Sequence, residues 1–302
     1  MNEVVIDELL VLRGKARRRL LDVPDDDHPV GGQLMGARPE TFGRAARDLV
    51  DAGYDTVDIN FGCPVPRVLD RCRGGFLLGH PGRALEIVDR VLQSVGGERP
   101  VTVKLRRGVD DSRESSDRFF AILDGAFELG VSGVTVHGRT VRQRYVGPSD
   151  WDFLRRVKRH VGTKTVFGSG DLFQAADVVR MLACTGVDGV TLARGCIGNP
   201  FLFGQVRDLL AGRPARAPTI AEQRRALALH WTEAASLYGP GRGLGRWRRH
   251  ALQYAALHPD PVAVRDAFVS VRSEARLVTV LDEWYAKGTA SGSMGPVQEE
   301  VE

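Results

Sequence analysis

The sequence has few cysteines, and they are not arranged as in a disulfide framework or a structural metal site. Its 302 residues contain only four: Cys63, Cys72, Cys184 and Cys196. None forms a C-x-x-C pair or has histidines nearby at the spacing of zinc ligands. We therefore expect reduced thiols, no disulfides and no metal.

Long apolar runs are also missing. No stretch reaches the roughly 18 apolar residues of a membrane helix, and Met1–Val4 lack a basic segment like that of a signal peptide. These absences predict a cytoplasmic protein without a membrane partner. The formal net charge of +4 permits an anionic partner without requiring one, because an arginine-rich composition raises the isoelectric point by itself.

Short β-branched runs alternate with amphipathic stretches through the first two thirds of the chain. Six strands are predicted near residues 29–34, 57–60, 101–105, 133–137, 165–168 and 189–193, and a seventh over Glu3–Ile6. This alternation indicates right-handed βαβ units and a parallel sheet. Two architectures remain open: an open doubly wound sheet, or a (β/α)8 TIM barrel that begins one βα unit late.

The last third of the sequence has a different character. Residues 212–218 form a Pro- and Gly-containing linker, and Thr219–Glu222 match a capping box that starts a helix. Further apolar stripes at helical spacing predict a small bundle. We expect a catalytic barrel domain over 1–211, a helical domain over 219–287 and a disordered tail over 288–302.

Cys63 lies where a predicted strand ends, between Gly62 and Pro64. Catalytic residues of parallel α/β proteins collect at this edge of the sheet, because the loops there open into one shared mouth. A half-buried structural cysteine is the alternative interpretation, since buried free thiols are common.

Other strand ends also carry polar or glycine residues, which together would form the ring that an active-site mouth needs. Two of them are glycine-rich turns before helices, a setting suited to a phosphate and typical of strands 7 and 8 of a barrel. These turns favour the barrel and place the missing strand at the N-terminus. The ring consists of Gln33, Asn60, Lys104, Arg106, His137, Arg139, Gly168–Asp171 and Ala193–Gly195.

Five ordered motifs resemble those of the tRNA-dihydrouridine synthases. They are Asp58-Ile-Asn-Phe-Gly-Cys-Pro64, Thr102-Val-Lys-Leu-Arg106, Val136-His-Gly-Arg-Thr140 with Tyr145-Val-Gly-Pro148, Gly168-Ser-Gly-Asp171, and Ala193-Arg-Gly-Cys-Ile-Gly-Asn-Pro200. The resemblance covers residues 3–205 and continues more weakly through the helical domain. It implies FMN-dependent reduction of a uridine in the D-loop of tRNA, with NADPH reducing the flavin.

The resemblance also implies roles for individual residues. Cys63 corresponds to the general acid that protonates C5 of the uracil ring, a role that suits a thiol. Gln33, Lys104 and His137 match residues that contact the flavin ring, although a salt-bridge lysine and a core histidine are the alternatives. The FMN phosphate site corresponds to Ser169, Gly170, Asp171, Ala193 and Arg194.

A tRNA partner would need a basic surface with aromatic side chains. Candidate substrate and RNA contacts are Asn60, Arg106, Arg139, Arg144, Tyr145, Arg246, Arg248 and Arg249. Each arginine cluster alone could equally be a solvated face. We expect a monomer.

The family's first strand ends in a Pro-Met-x-Gly loop, and the sequence leads us to expect that this first βα unit is absent. Such a barrel would expose two strand edges. Three hypotheses stay open: an active flavoenzyme acting on tRNA, a non-catalytic RNA-binding remnant, and a flavin-dependent reductase of a small pyrimidine-like molecule.

Overall fold

The computed structural model describes residues 1–12 and 14–286, and its strands form one parallel sheet. The predicted tail over 288–302 lies outside the described residues. The strands pair in chain order, β1 to β7, with β1 and β7 at the two edges. They are β1 (Val5–Ile6), β2 (Gly31–Met35), β3 (Thr56–Phe61), β4 (Val101–Arg106), β5 (Gly133–His137), β6 (Val166–Ser169) and β7 (Gly189–Thr191).

This strand order distinguishes the two predicted architectures. A doubly wound sheet reverses its strand order at a switch point, whereas the strands of a barrel follow one another around the axis. The uninterrupted order β1 to β7 is therefore that of a (β/α)8 barrel, and the described residues supply seven of its strands. All seven predicted strands are confirmed. The strand predicted over residues 189–193 is β7, which ends at Thr191.

Helices alternate with these strands as predicted. In the part of the chain up to residue 192 they are α1 (Asp7–Val11), α2 (Lys15–Leu20), α3 (Pro39–Asp51), α4 (Pro66–Leu69), α5 (Pro81–Val95), α6 (Arg113–Leu129), α7 (Trp151–Val161) and α8 (Ala175–Thr185). Proline at the first position starts α3 and α5, and α5 ends at Gly96, whose positive φ of 62° closes the last turn. Within the described ranges, no helix is both long and apolar enough to cross a membrane.

The two faces of the sheet differ because side chains alternate along each strand. One face packs against the helices and is apolar; Leu34, Ile59, Val103 and Val134 lie on one row of it and are fully buried. The other face is polar. Its successive rows, set by the strand register, are Gln33, Asp58 and Thr102, then Asn60, Lys104 and Thr135, then Arg106, His137, Ser169 and Thr191.

The chain divides into two compact units. The first comprises Met1–Leu172 with Asp177–Leu192, and the second Phe173–Ala176 with the chain from Ala193 onward. The predicted division at residues 211 and 212 concerns folding domains and stays a prediction.

The second unit is helical. Its helices are α9 (Leu202–Leu210), α10 (Ile220–Tyr238), α11 (Pro240–Tyr254), α12 (Pro261–Ser270) and α13 (Glu274–Trp284). The capping box is confirmed, since Thr219 and Glu222 bond each other's backbone N–H groups. The predicted apolar stripes meet in one core around Trp247, whose indole donates to the carbonyl of Leu227 at 2.9 Å.

Candidate active site

The Cys63 loop follows directly from the end of β3. Gly62 leaves the strand, Cys63 follows, and Pro64 prevents the strand from continuing. The Cys63 side chain is half-buried and its thiol is free. Gly74 packs against it so closely that a Cβ there would lie 2.8 Å from the Cys63 Cβ, and its φ of 57° also favours glycine. The chain at residue 74 can therefore approach Cys63 this closely only because that residue is glycine.

A chain of side-chain hydrogen bonds leads from this loop into the sheet. The N–H groups of Gly62 and Cys63 both donate to Asn60 Oδ1, at 3.0 and 3.1 Å. Asn60 Nδ2 donates to Gln33 Oε1 at 2.8 Å, and Gln33 Nε2 donates to Asp58 Oδ2 at 2.7 Å. The structure thus brings the predicted residues Gln33, Asn60 and Cys63 into one network.

Asp58 is the inner end of that network and is 2% exposed. Its second oxygen, Oδ1, accepts a hydrogen bond from Thr102 Oγ1 at 2.5 Å. Burial raises the pKa of the Asp58 carboxyl, and the hydrogen bonds from Thr102 and Gln33 and the charge of Lys104 oppose that rise. Each carboxyl oxygen of Asp58 thus accepts a hydrogen bond from a neighbouring side chain.

Lys104 lies in the same row as Asn60, one strand further along. Burial lowers the pKa of its ammonium group, Asp58 raises it again, and Arg106 lowers it. Asp58, on the same face of the sheet, is the negative charge that raises this pKa. The alternative of a salt-bridge lysine at a strand end stays open.

His137 ends β5 on the polar face. Its Nδ1 accepts a hydrogen bond from the Arg139 N–H at 3.1 Å. Burial, together with the positive charges of Arg106, Lys104 and Arg139, lowers the pKa of His137 to about 3. The ring is therefore neutral near pH 7, and its proton is on Nε2 because Nδ1 accepts.

This lowered pKa predicts that acid destabilises the fold. In the unfolded chain a histidine takes up a proton near pH 6.5, whereas folded His137 does not until about pH 3. Its contribution to stability is therefore complete above pH 6.5 and is lost as the pH falls toward 3. Between pH 7 and 5 we expect a loss of about 2 kcal/mol in the free energy of unfolding.

Urea unfolding at the two pH values measures this loss. In the His137→Asn variant the amide oxygen can still accept from the Arg139 N–H, and the histidine's share of the pH dependence should disappear. Equal losses in wild type and variant would contradict the assignment.

The predicted phosphate turn, Ser169–Asp171, is tied to the segment around Ser149. A Cβ at Gly170 would lie 2.3 Å from Ser149 Oγ, so only glycine fits there. Both oxygens of Asp171 accept from Arg139, at 2.7 and 2.8 Å, and Oδ2 also accepts from the Ser149 N–H at 2.7 Å. The Asp171 carboxylate thus holds the turn in place, and its contact with a phosphate stays a prediction.

Ala193 and Arg194, the other predicted phosphate contacts, belong to the second compact unit. Arg194 opens a short 3-10 turn and lies over Phe173, with its Cζ 5.0 Å from the ring centre. Their contact with a phosphate stays a prediction.

Two of the predicted RNA-binding arginines are buried. Arg106 is 4% exposed and donates to the carbonyls of Gly62, Thr140 and Arg144 at 2.8–2.9 Å, which joins the Cys63 loop to the 140–144 loop. Arg139 is 3% exposed and holds Asp171. Their side chains organise the mouth of the barrel, and their contact with RNA stays a prediction.

Exposed candidates occur in both units. In the first unit Arg144 is exposed and Tyr145 is 58% exposed. In the second, Arg246 and Arg249 are exposed, with Arg246 Cζ 4.1 Å from the centre of the Tyr238 ring, while Arg248 is half-buried and donates to the Val271 carbonyl at 2.8 Å.

Asp58 and Thr102 belong to the hydrogen-bond network of the Cys63 loop, although neither was predicted to have a role in the site. The signal was nevertheless present, because Asp58 and Asn60 are two residues apart in a strand and must share a face. Among residues 1–12 and 14–286, no group of three or more His, Cys, Asp or Glu residues is placed to hold a metal ion.

Comparison with known proteins places these features in one family. A model of the family described as "Dihydrouridine synthase (Dus)" matches residues 1–288. The "Probable tRNA-dihydrouridine synthase" of Mycobacterium tuberculosis is 35% identical over 284 residues, which cover 93% of this chain and 72% of that protein. "Probable tRNA-dihydrouridine synthase 1" of Synechocystis is 33% identical, covering 88% of this chain and 73% of that protein. The chain therefore belongs to the dihydrouridine synthase family.

Proposed function

We propose that this chain reduces a uridine in the D-loop of tRNA to 5,6-dihydrouridine, using FMN that NADPH has reduced. Family membership supports the reaction, and one observation carries the assignment to a site. The half-buried Cys63 follows β3, and its backbone N–H bonds Asn60 on a polar face that also presents Gln33 and Lys104. A plain structural cysteine would not need these polar neighbours.

Two observations support the proposal that these residues hold a flavin with a phosphate. Lys104 is half-buried, and the structure gives its ammonium group no hydrogen-bond acceptor within the described residues, which suits a ring that gains negative charge on reduction. Arg139 Nη1 is buried without a hydrogen-bond partner in the same part of the chain, next to the Ser169–Asp171 turn. An anion at that turn would complete its contacts.

Specific residues would then hold the cofactor. Gln33, Lys104 and His137 would contact the flavin ring, with His137 offering its Nε2–H. Ser169, Gly170 and Asp171 would contact the phosphate, and roles for Ala193 and Arg194 in phosphate binding rest on the resemblance alone. FMN, when bound, supplies the hydride that goes to C6 of the uracil ring.

Cys63 completes the reduction in this proposal. As C6 gains hydride, the Sγ–H bond breaks and its proton goes to C5, so that the C5=C6 double bond becomes a single bond. The resulting thiolate takes up a proton from solvent before the next turnover. A thiol is a suitable acid because it can give up a proton and take one up again in water.

The direct test uses purified protein and tRNA lacking dihydrouridine. We expect a yellow protein whose released flavin is FMN, and dihydrouridine in the D-loop after addition of NADPH. NADH in parallel reactions tests the choice of reductant. A folded, colourless protein that cannot be reconstituted with FMN would contradict the proposal, as would dihydrouridine formed only in free uridine.

The exposed arginines of the second unit provide a test of the RNA surface. We expect Arg246→Gln/Arg249→Gln to weaken tRNA binding and to lower the slope of log K against log salt by up to about 2, because two phosphate contacts are removed. Arg248 is left intact because it supports the Val271 carbonyl.

Filter binding or fluorescence titration between 50 and 300 mM salt, roughly the range where such slopes are resolved, provides the measurement. Arg207→Gln/Arg225→Gln is the matched control, since both residues are exposed arginines of the same unit and the charge change is equal. Equal effects of the two double variants would show that Arg246 and Arg249 contribute only non-specific charge attraction to tRNA binding.

A further inference from the structure

The hydrogen bonds between the Cys63 loop and Asp58 can run in only one direction. Backbone N–H groups are obligate donors, so the Asn60 atom that meets Gly62 and Cys63 must be the amide oxygen. Its NH2 group must then face Gln33, and the Gln33 oxygen must accept. The Gln33 NH2 group is left to donate to Asp58.

Asp58 fixes the same direction from the other end. Its Oδ2 accepts from the Gln33 NH2 group and its Oδ1 accepts from the Thr102 hydroxyl, which agrees with the direction set by the backbone. Both amides between the two ends therefore have a single orientation. A rotated amide at either position would place two donors or two acceptors against each other, which is costly in a buried network.

We infer that Asp58 is a positioning residue for Cys63, acting through the amides of Gln33 and Asn60 on the backbone N–H groups of the Cys63 loop. Its carboxylate orients Gln33, Gln33 orients Asn60, and Asn60 holds Gly62 and Cys63 with one oxygen. The inference rests on the proposed function only for the chemical role of Cys63. The hydrogen-bond network itself is formed by protein groups alone.

The position of Asp58 in the sheet explains why an anchor is useful here. Gly62 and Cys63 lie beyond the last residue of β3, Phe61, so the regular ladder does not fix them. Asn60 is 7% exposed and Asp58 is 2% exposed, so competing water is excluded from most of the network. The anchor thus transfers the rigidity of the strands to the first two residues of a loop.

Cutting the network at a distance from Cys63 is the decisive experiment. In Gln33→Met the side chain keeps a similar length but can neither donate to Asp58 nor accept from Asn60. Amide hydrogen exchange at Gly62 and Cys63 should accelerate by about tenfold, as expected for the loss of roughly 1.4 kcal/mol of local protection. In Asp58→Asn the amide oxygen can still accept from Gln33 and its NH2 can donate to Thr102, so exchange should stay within about threefold of wild type.

Asp58→Leu should accelerate exchange like Gln33→Met, and the double variant should show no further increase, because both changes cut the same chain. Thr135→Val is the control, since Thr135 shares the polar face but lies outside the chain. Exchange at Val134, whose N–H bonds the Thr165 carbonyl, reports general loosening of the barrel.

A second readout is the rate of Cys63 alkylation, followed by mass spectrometry of its peptide, in protein without RNA. It should change in Gln33→Met and not in Asp58→Asn. Unchanged exchange at Gly62 and Cys63 in Gln33→Met, with the barrel intact, would overturn the inference, as would additive effects in the double variant. Neither readout needs FMN or dihydrouridine, so an enzyme that fails to reduce tRNA would contradict the proposed function and leave this result standing.

Discussion

Replacing Cys63 with alanine is expected to lower dihydrouridine formation by at least ~10²-fold while FMN stays bound, because the substitution removes only the proton donor. The polar groups proposed to hold the flavin ring are Gln33, Lys104 and His137, and the network to Gln33 bonds the backbone of residue 63 rather than its thiol. The variant should therefore keep its flavin absorbance. Single-turnover reaction of reduced enzyme with tRNA measures the step directly.

The matched control for this variant is Cys184→Ala, which removes an exposed thiol from α8 and should leave the rate unchanged. Undiminished reduction by Cys63→Ala would refute the role of this thiol. Loss of FMN together with activity would show instead that Cys63 supports the cofactor site.

The strands were predictable because their sequences carry two independent signals. Val57, Ile59 and Phe61 alternate with Asp58 and Asn60, so the apolar and polar faces of β3 are both written in the sequence. The same alternation identified the strand ends and hence Cys63. Predicting the barrel also required the glycine-rich turns after β6 and β7, because the alternation of strands and helices alone fits an open sheet equally well.

Burial of the charged residues could not be predicted. Arg106 and Arg139 occur among basic and aromatic residues, as arginines of an RNA surface do, and only the structure shows that they bond buried carbonyls and Asp171. Which arginines turn inward depends on where acceptors from distant segments lie. The direction of the Asn60–Gln33–Asp58 network likewise depends on contacts between strands that are about 25 residues apart in the chain.

The largest expected effect on stability comes from the pair between Arg139 and Asp171. Only 4% of the Arg139 side chain is exposed, and both Asp171 oxygens accept from it. Removing the carboxylate leaves a buried guanidinium without its counter-charge, at a cost of about 3 kcal/mol. Asp171→Asn is the suitable change, because Asp171 has a φ of 57° and asparagine tolerates this left-handed conformation.

Urea unfolding of Asp171→Asn should therefore show a loss of about 3 kcal/mol. Asp152→Asn, which breaks a surface pair with Arg155, is the control and should cost less than about 1 kcal/mol. Adding Arg139→Met to Asp171→Asn should recover part of the loss, because the uncompensated charge is then gone. If Asp171→Asn were no more destabilising than the control but bound FMN weakly, the carboxylate would serve the phosphate site and not the fold.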